Sequence, residues 1–395
     1  VTRLLEYPGH RVFLRDIVRA ENCSLLDSGG RRYVDLESGV WCTSIGHAHP
    51  RVLDAISEHA ARVGHCGFNY SSPIVEEAAD EVLAALGFED GKCTFLCSGS
   101  EAVEYGVRIA RMVSQRPQFL TMADSYFGAY GAASERHAGE WFCFDWTDCA
   151  GCPDSKRCDA ECEGWASIPL DRIGAFLFEP GSSSGQVRFP PKKLIQRIVR
   201  SIRSDDGLVL VNEVTTGIGR TGTWFGYQHY EIVPDIVALG KGIGNGYPVS
   251  VSAFSSRVTS LLGDRPIPYA QSHQNDPLGA AVAMEVIRTI RDHGLIERGR
   301  DVAARLLSGL EAIAVRTDRI EEIRARGLML AVQLKDDPST SLTDRVQRDL
   351  VDRGFIVARR PGLSIIRLDP ALTIEHEDVD AFLEALEAIL SAHPE

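Results

Sequence analysis

Lys241 sits among glycines: Gly240-Lys241-Gly242 is followed by Gly244, Gly246 and Pro248. A lysine after an apolar run is ordinarily a solvated charge, but this glycine density suits a backbone that passes close to a ligand or turns sharply. Such a segment presents an amine to whatever is bound there. Ser98-Gly99-Ser100 reads first as a helix N-cap, and the free amides of that first turn also make an anion site suited to phosphate. A third group is cysteine. Cys143, Cys149, Cys152, Cys158 and Cys162 crowd into one stretch that also holds Asp145, Asp148, Pro153 and Asp154 and shows no helix or strand period. The pattern Cys149-x2-Cys152, then Cys158-x3-Cys162, has the spacing of a structural zinc site, in which four thiolates staple a loop without a core. An iron-sulfur cluster uses the same residue type, and reduced, unliganded thiols are the third reading. Disulfides fit poorly with a reducing cytosol. The other five, Cys23, Cys42, Cys66, Cys93 and Cys97, are scattered through periodic segments, where a thiol is a small buried apolar group.

These residues need elements to position them. Thr94–Leu96, Phe119–Met122, Ala175–Phe178, Leu208–Val211 and Ile236–Leu239 are short apolar runs, separated by helical patterns such as Ala102–Val113 and Lys192–Ile202. That alternation predicts a mostly parallel sheet covered on both faces. In such sheets ligands sit at the carboxyl ends of the strands. Four runs end on suggestive residues: Cys97-Ser98-Gly99-Ser100, Glu179-Pro180, Asn212-Glu213 and Gly240-Lys241-Gly242. They are expected to converge on one edge. The chain has 395 residues, 44% of them hydrophobic, enough for a large and a small domain. Its net charge of -13 argues against nucleic acid or an anionic membrane as partner. With neither a membrane-span pattern nor a signal pattern, a cytoplasmic location is expected.

Asn212-Glu213-Val214-Thr215-Thr216-Gly217-Ile218-Gly219-Arg220-Thr221-Gly222, followed by Pro234-Asp235-Ile236-Val237-Ala238-Leu239-Gly240-Lys241-Gly242, closely resembles the signature of the class III aminotransferases, pyridoxal-phosphate enzymes of fold type I. Gly46-His47-Ala48-His49-Pro50, Ser98 to Ala102, Glu179-Pro180, Arg324 with Gly327-Leu328-Met329, and Arg367 before Pro370 extend the likeness over nearly the whole chain. Only the cysteine loop looks foreign to it. The resemblance implies an α/β fold with a mostly parallel central sheet in a large domain and a smaller α+β domain built from both chain ends. The divisions expected are 1–45 and 276–395 for the small domain and 46–275 for the large one, with a cysteine-rich insertion at 143–164.

The resemblance also implies roles. Lys241 would hold pyridoxal phosphate as a Schiff base and shuttle a proton. Ser98, Gly99 and Ser100 would cradle the phosphate, Tyr126 would stack on the pyridine ring, and Val214 would pack on its other face. Ser272 falls where the family has a threonine reaching the partner subunit's phosphate, which implies a homodimer with shared active sites. Arg367 matches the arginine that clamps a substrate carboxylate, a task for a planar bidentate donor, with pairing to some other acid as its other reading, and Trp41 resembles a wall of the substrate pocket, with core packing as its other reading. The implied substrates are an amino acid and a keto acid.

Four positions depart from the family. Asn212 replaces an aspartate that keeps the pyridine nitrogen protonated, so either transamination is slowed or the chemistry needs less charge delocalisation, as racemisation does. Phe127 stands where many relatives have histidine. Thr215 replaces a glutamine that bonds the cofactor's phenolic oxygen, a donor role threonine can fill. Ser184 replaces a glutamate that covers the carboxylate-binding arginine in enzymes of ω-amino groups, which favours amino acids over simple amines. The expected function is thus amino transfer, with an amino-acid racemase or epimerase, or a non-catalytic cofactor-binding protein, as alternatives.

Overall fold

A computed structural model describes residues 3–5, 12–67, 69–152, 158, 161–336 and 342–392. Its centre is a seven-stranded sheet in the order Lys92–Leu96, Ser250–Phe254, Ile236–Leu239, Leu208–Asn212, Ile173–Phe178, Gln118–Met122, Trp141–Phe144. Every pairing is parallel except those of Ser250–Phe254, which runs antiparallel to both neighbours. All five apolar runs read from the sequence lie in this sheet.

The central strands are buried on both faces, which is why they read as continuous apolar runs. Val209 and Val211 face one core while Leu208 and Leu210 face the other, and Val237 and Leu239 oppose Ile236 and Ala238 in the same way. Each such side chain contributes about 1.5–3 kcal/mol through burial. Helix Lys192–Arg203 turns Leu194, Ile195, Ile198, Val199 and Ile202 inward, the i, i+4, i+8 spacing of a single helical face.

Two smaller sheets carry the chain ends. Ile17–Glu21, Ser24–Asp27 and Arg32–Asp35 join Phe355–Ile356, whose pairing with Arg32–Asp35 is parallel. Ile320–Arg326, Met329–Leu334, Ile365–Leu368 and Ala358–Arg359 form the other. Helix Pro277–Asp292 packs on Pro50–Arg62 and Pro73–Leu86. Among the described residues no helix is long and apolar enough to cross a membrane.

Candidate active site

The carboxyl ends of the central strands open into a cavity lined by Gly99, Ser100, Tyr126, Phe127, Ser183, Asn212, Val214, Thr215 and Lys241, among others. Strand ends bring most of these together. Asn212 closes Leu208–Asn212, Lys241 follows Ile236–Leu239, and Gly99 begins helix Gly99–Val113 after Lys92–Leu96.

The approach of these elements requires glycine at two places. A Cβ on Gly99 would lie 2.7 Å from Val214 Cγ1, and one on Gly240 would lie 3.1 Å from Gly99 Cα. The helix amino terminus can therefore reach the cavity floor only without side chains there. Ser98 is the N-cap: its Oγ accepts from Glu101 N at 3.3 Å, and Glu101 Oε2 accepts from Ser98 N at 2.9 Å. Its side chain is thus occupied by the cap and does not line the cavity, leaving the Gly99 and Ser100 end of the turn to face it.

Asn212 is buried, and both ends of its amide are held by backbone. Nδ2 donates to Tyr126 O at 3.0 Å, and Oδ1 accepts from Val214 N at 3.1 Å. Reversing the amide would set oxygen against a carbonyl and N–H against N–H, so its orientation is fixed. A carboxylate in that place would meet the Tyr126 carbonyl with no proton to offer. Thr215 Oγ1 is buried on the cavity with no partner, a donor awaiting an acceptor. Phe127 is buried in the core beneath helix Gly99–Val113.

Glu179, fully buried, accepts from Tyr126 N at 3.0 Å and Ser183 Oγ at 2.5 Å. Burial pushes its carboxyl up to about 7 against these bonds. Burial likewise lowers the Lys241 ammonium below its ordinary value; nearby Arg367 adds to this, while Cys42 and Glu179 oppose it. The direction of this shift makes the amine easier to deprotonate, as a nucleophile requires.

Trp41 and Arg367 stand beside Lys241. The Arg367 guanidinium carbon is 3.8 Å from the Trp41 ring centroid and Lys241 Nζ is 5.7 Å from it. Arg367 Nε donates to Asp369 Oδ2 at 3.2 Å, so the arginine has an acidic partner that the sequence did not mark. Asp369 is fully buried, which pushes its carboxyl up, with Arg367 and Arg220 drawing it back. Ser184 bonds Ser182 Oγ at 3.2 Å and accepts from Arg360 through its carbonyl.

Trp41 is carried by an unusual turn. Ser38, Gly39, Val40 and Trp41 all have left-handed backbone, with φ of 44, 54, 60 and 64°. Asp35 steadies it, accepting from Glu37 N at 2.9 Å and Gly39 N at 3.0 Å. Arg220, another signature residue, is buried and donates to Leu328 O, Pro370 O and Ser38 Oγ. It ties the signature loop to this turn and to the carboxyl-terminal segment. Glu213 similarly accepts from Thr216 Oγ1 and from the Gly226 and Tyr227 amides.

Ser272 is exposed and away from the cavity of its own chain. In the cysteine loop, the Cys149 thiol is pushed up to about 11, first by burial and then by the charges of Cys158, Cys162, Cys152 and Asp148. Among the described residues, however, the sulfurs do not gather within mutual ligating distance, and the cysteines form no disulfide.

The cavity fits pyridoxal phosphate: a glycine-floored helix amino terminus for the phosphate, an unpartnered Thr215 hydroxyl, and a buried amine at Lys241. Comparison with known proteins agrees. The family model for class III aminotransferases matches residues 6–135 and 153–390, and the unmatched stretch contains Cys143, Cys149 and Cys152. An acetylornithine aminotransferase from Streptomyces coelicolor is 31% identical, covering 95% of this chain and 90% of its own. A leucine/methionine racemase from Thermococcus litoralis is 28% identical over the same shares. The structure of an amine transaminase from an uncultivated Pseudomonas species superposes with a TM-score of 0.88 at 24% identity, covering 99% of both chains. The chain therefore belongs to the class III aminotransferase family, as a pyridoxal-phosphate-dependent enzyme of fold type I.

Proposed function

We propose that this enzyme moves an amino group between an α-amino acid and a keto acid, with Lys241 as the residue that carries the cofactor and the proton. The observation that supports this most directly is the placing of Lys241 between the cofactor cavity and the Trp41–Arg367 pair. The bound cofactor supplies an electron sink for the bonds at the substrate α-carbon. The chain supplies the rest. Gly99 and Ser100 hold the phosphate at the helix terminus, Thr215 donates to the cofactor's phenolic oxygen, and Tyr126 and Val214 flank its ring. Asn212 meets the ring nitrogen with a neutral amide. The Lys241 amine would hold the cofactor and would serve as the base that takes the proton from the substrate α-carbon and returns it.

Arg367 holds the substrate carboxylate. Asp369 engages Nε and steadies the guanidinium, while Trp41 supports its face. With Ser184 where a covering glutamate would stand, the arginine favours substrates that always present a carboxylate. An amino-donor screen, following conversion of the cofactor's absorbance to its amine form, tests this reading; conversion by simple amines alone would overturn it.

Asn212 and the likeness to a racemase favour a second reading, amino-acid racemisation. α-Deuterium exchange without any keto acid separates the two. Asn212→Asp should raise transamination at the expense of racemisation if the amide restrains the sink, since each unit of ring-nitrogen pKa is worth about 1.4 kcal/mol. A variant slower in both reactions would show instead that the amide's own hydrogen bonds matter most.

We further propose a homodimer in which Ser272 reaches the partner's phosphate, and a cytoplasmic setting. Zinc at Cys149, Cys152, Cys158 and Cys162 is a proposal resting on their spacing. Elemental analysis should find about one zinc per chain that is lost when these four cysteines are replaced by serine; free thiols at these four positions in metal-replete protein would remove it.

A further inference from the structure

Outside the cofactor cavity, one group of side chains is arranged as ligands are. Among the described residues, His65, His273 and Asp276 have ligand atoms that all lie within 4.8 Å of one another. His65 Nδ1 is 2.5 Å from Asp276 Oδ1, and His273 Nδ1 is 2.5 Å from Asp276 Oδ2. The imidazole centroids are 4.8 Å apart with the rings tilted at 47°. Both rings therefore turn the same nitrogen toward one carboxylate.

Two features set this apart from a chance surface contact. Asp276 is the N-cap of helix Pro277–Asp292 and yet makes no side-chain cap bond. Aspartate in that place ordinarily caps the helix, worth about 1 kcal/mol; here the carboxylate has left the helix amides for the imidazoles. The second feature is the origin of the ligands. His65 follows helix Pro50–Arg62 and His273 precedes helix Pro277–Asp292, and these helices pack against each other. Loops at the ends of two packed helices distant in sequence thus bring the imidazoles together. A cavity of about 200 Å³ opens beside them, with Cys97, Tyr247, His273 and Asp276 on its wall.

Two imidazole nitrogens and one carboxylate oxygen suit a divalent transition metal, zinc first, and suit magnesium or calcium poorly, since those take oxygen ligands. We propose that His65, His273 and Asp276 bind one divalent zinc-class ion, with water completing its coordination. With metal–ligand bonds of about 2.0–2.2 Å, ligand atoms in a tetrahedral site stand roughly 3.4 Å apart. The 2.5 Å pairs must then open by about 1 Å on loading, and the histidine side chains, 45% and 59% exposed, have room to do so. Each neutral imidazole would then carry its proton on Nε2, leaving Nδ1 free for the ion. The ion would pin the turn that carries Ser272 to the end of helix Pro50–Arg62.

The test is titration of the chelator-stripped, pyridoxal-phosphate-loaded enzyme with zinc by calorimetry and with cobalt(II) by absorbance. A background with Cys149, Cys152, Cys158 and Cys162 all replaced by serine removes the four candidate loop ligands. In that background one equivalent per chain is expected, giving a cobalt spectrum without the sulfur-to-metal charge-transfer band. His65→Ala with His273→Ala should abolish that equivalent. Asp276→Asn guards against misfolding, because asparagine caps a helix as well as aspartate does; it should keep the Tm and weaken zinc binding at least tenfold. No uptake in the loop-cysteine background, or uptake unchanged in the histidine or Asp276→Asn variants, would overturn the proposal.

Discussion

The floor under the cofactor cavity and the wall beside it meet at Lys241, but they are built in opposite ways. The floor consists of strand ends and one helix amino terminus, in which each functional residue follows from the regular element before it. The wall is Trp41 on a left-handed turn backed by Arg367 from a strand of another sheet. Left-handed backbone costs roughly 1–2 kcal/mol for each non-glycine residue, and Ser38, Val40 and Trp41 each bear it. The difference teaches that the cofactor side rests on fold geometry, whereas the substrate side is held by specific bonds, those of Asp35, Arg220 and Asp369.

Substitutions can break this contrast, beginning at the floor. Lys241→Ala should lose the borohydride-reducible link to the cofactor and lower turnover by about 10²–10⁴-fold, the usual contribution of a positioned proton carrier. Reduction that fixes the cofactor to another lysine would displace Lys241 from the centre of the site.

Buried carboxyls make the floor sensitive to pH. Glu179 and Glu213 are each raised from 4.5 to about 7, chiefly by burial, so the folded protein keeps protons that the unfolded chain has lost. Their contribution is complete below pH 4.5 and falls as pH rises through about 7, by about 3 kcal/mol for each group. Glu179→Gln should remove about half of that decline, measured by denaturant unfolding across the window. An unchanged slope would show that Glu179 ionises normally in the folded protein.

On the wall, Arg367→Lys keeps the charge but loses the planar fork. KM for a carboxylate-bearing donor should rise about 10–100-fold, as expected for a charged hydrogen bond of about 1.5–3 kcal/mol, with a smaller change in kcat. Equal loss in kcat and KM for substrates with and without a carboxylate would assign Arg367 to structure alone.

The two regions also differ in how far the sequence revealed them. Asn212, Lys241, Glu179 and the Ser98 segment were found by one rule, that chemistry collects where parallel strands end. Arg367 and Trp41 came only through family likeness, because nothing local brings residues 41 and 367 together. Asp369 went unmarked as the partner of Arg367, since a lone aspartate two residues on has no pattern of its own. The antiparallel strand Ser250–Phe254 was missed too, its serines interrupting the apolar run. Ser98 shows the opposite limit: the motif located the turn correctly, but could not tell that Glu101 would occupy the side chain.

The smallest expected effect bears most directly on how the wall is held. Val40 is half exposed with φ of 60°, a conformation that β-branched residues almost never adopt. Val40→Gly would remove roughly 1–2 kcal/mol of steric cost in the folded state. Glycine's greater freedom in the unfolded chain takes back about 0.5–1 kcal/mol, leaving a net gain of about 0.5–1 kcal/mol by that difference. Val40→Ala keeps a Cβ and should gain less. If the turn's stiffness is what sets Trp41 beneath Arg367, the glycine variant should gain stability while its KM for carboxylate substrates rises; on the floor only Lys241, with φ of 46°, carries comparable strain among the non-glycine lining residues. A glycine variant that is less stable than the native protein would mean that the left-handed turn is not the conformation the wall adopts in solution.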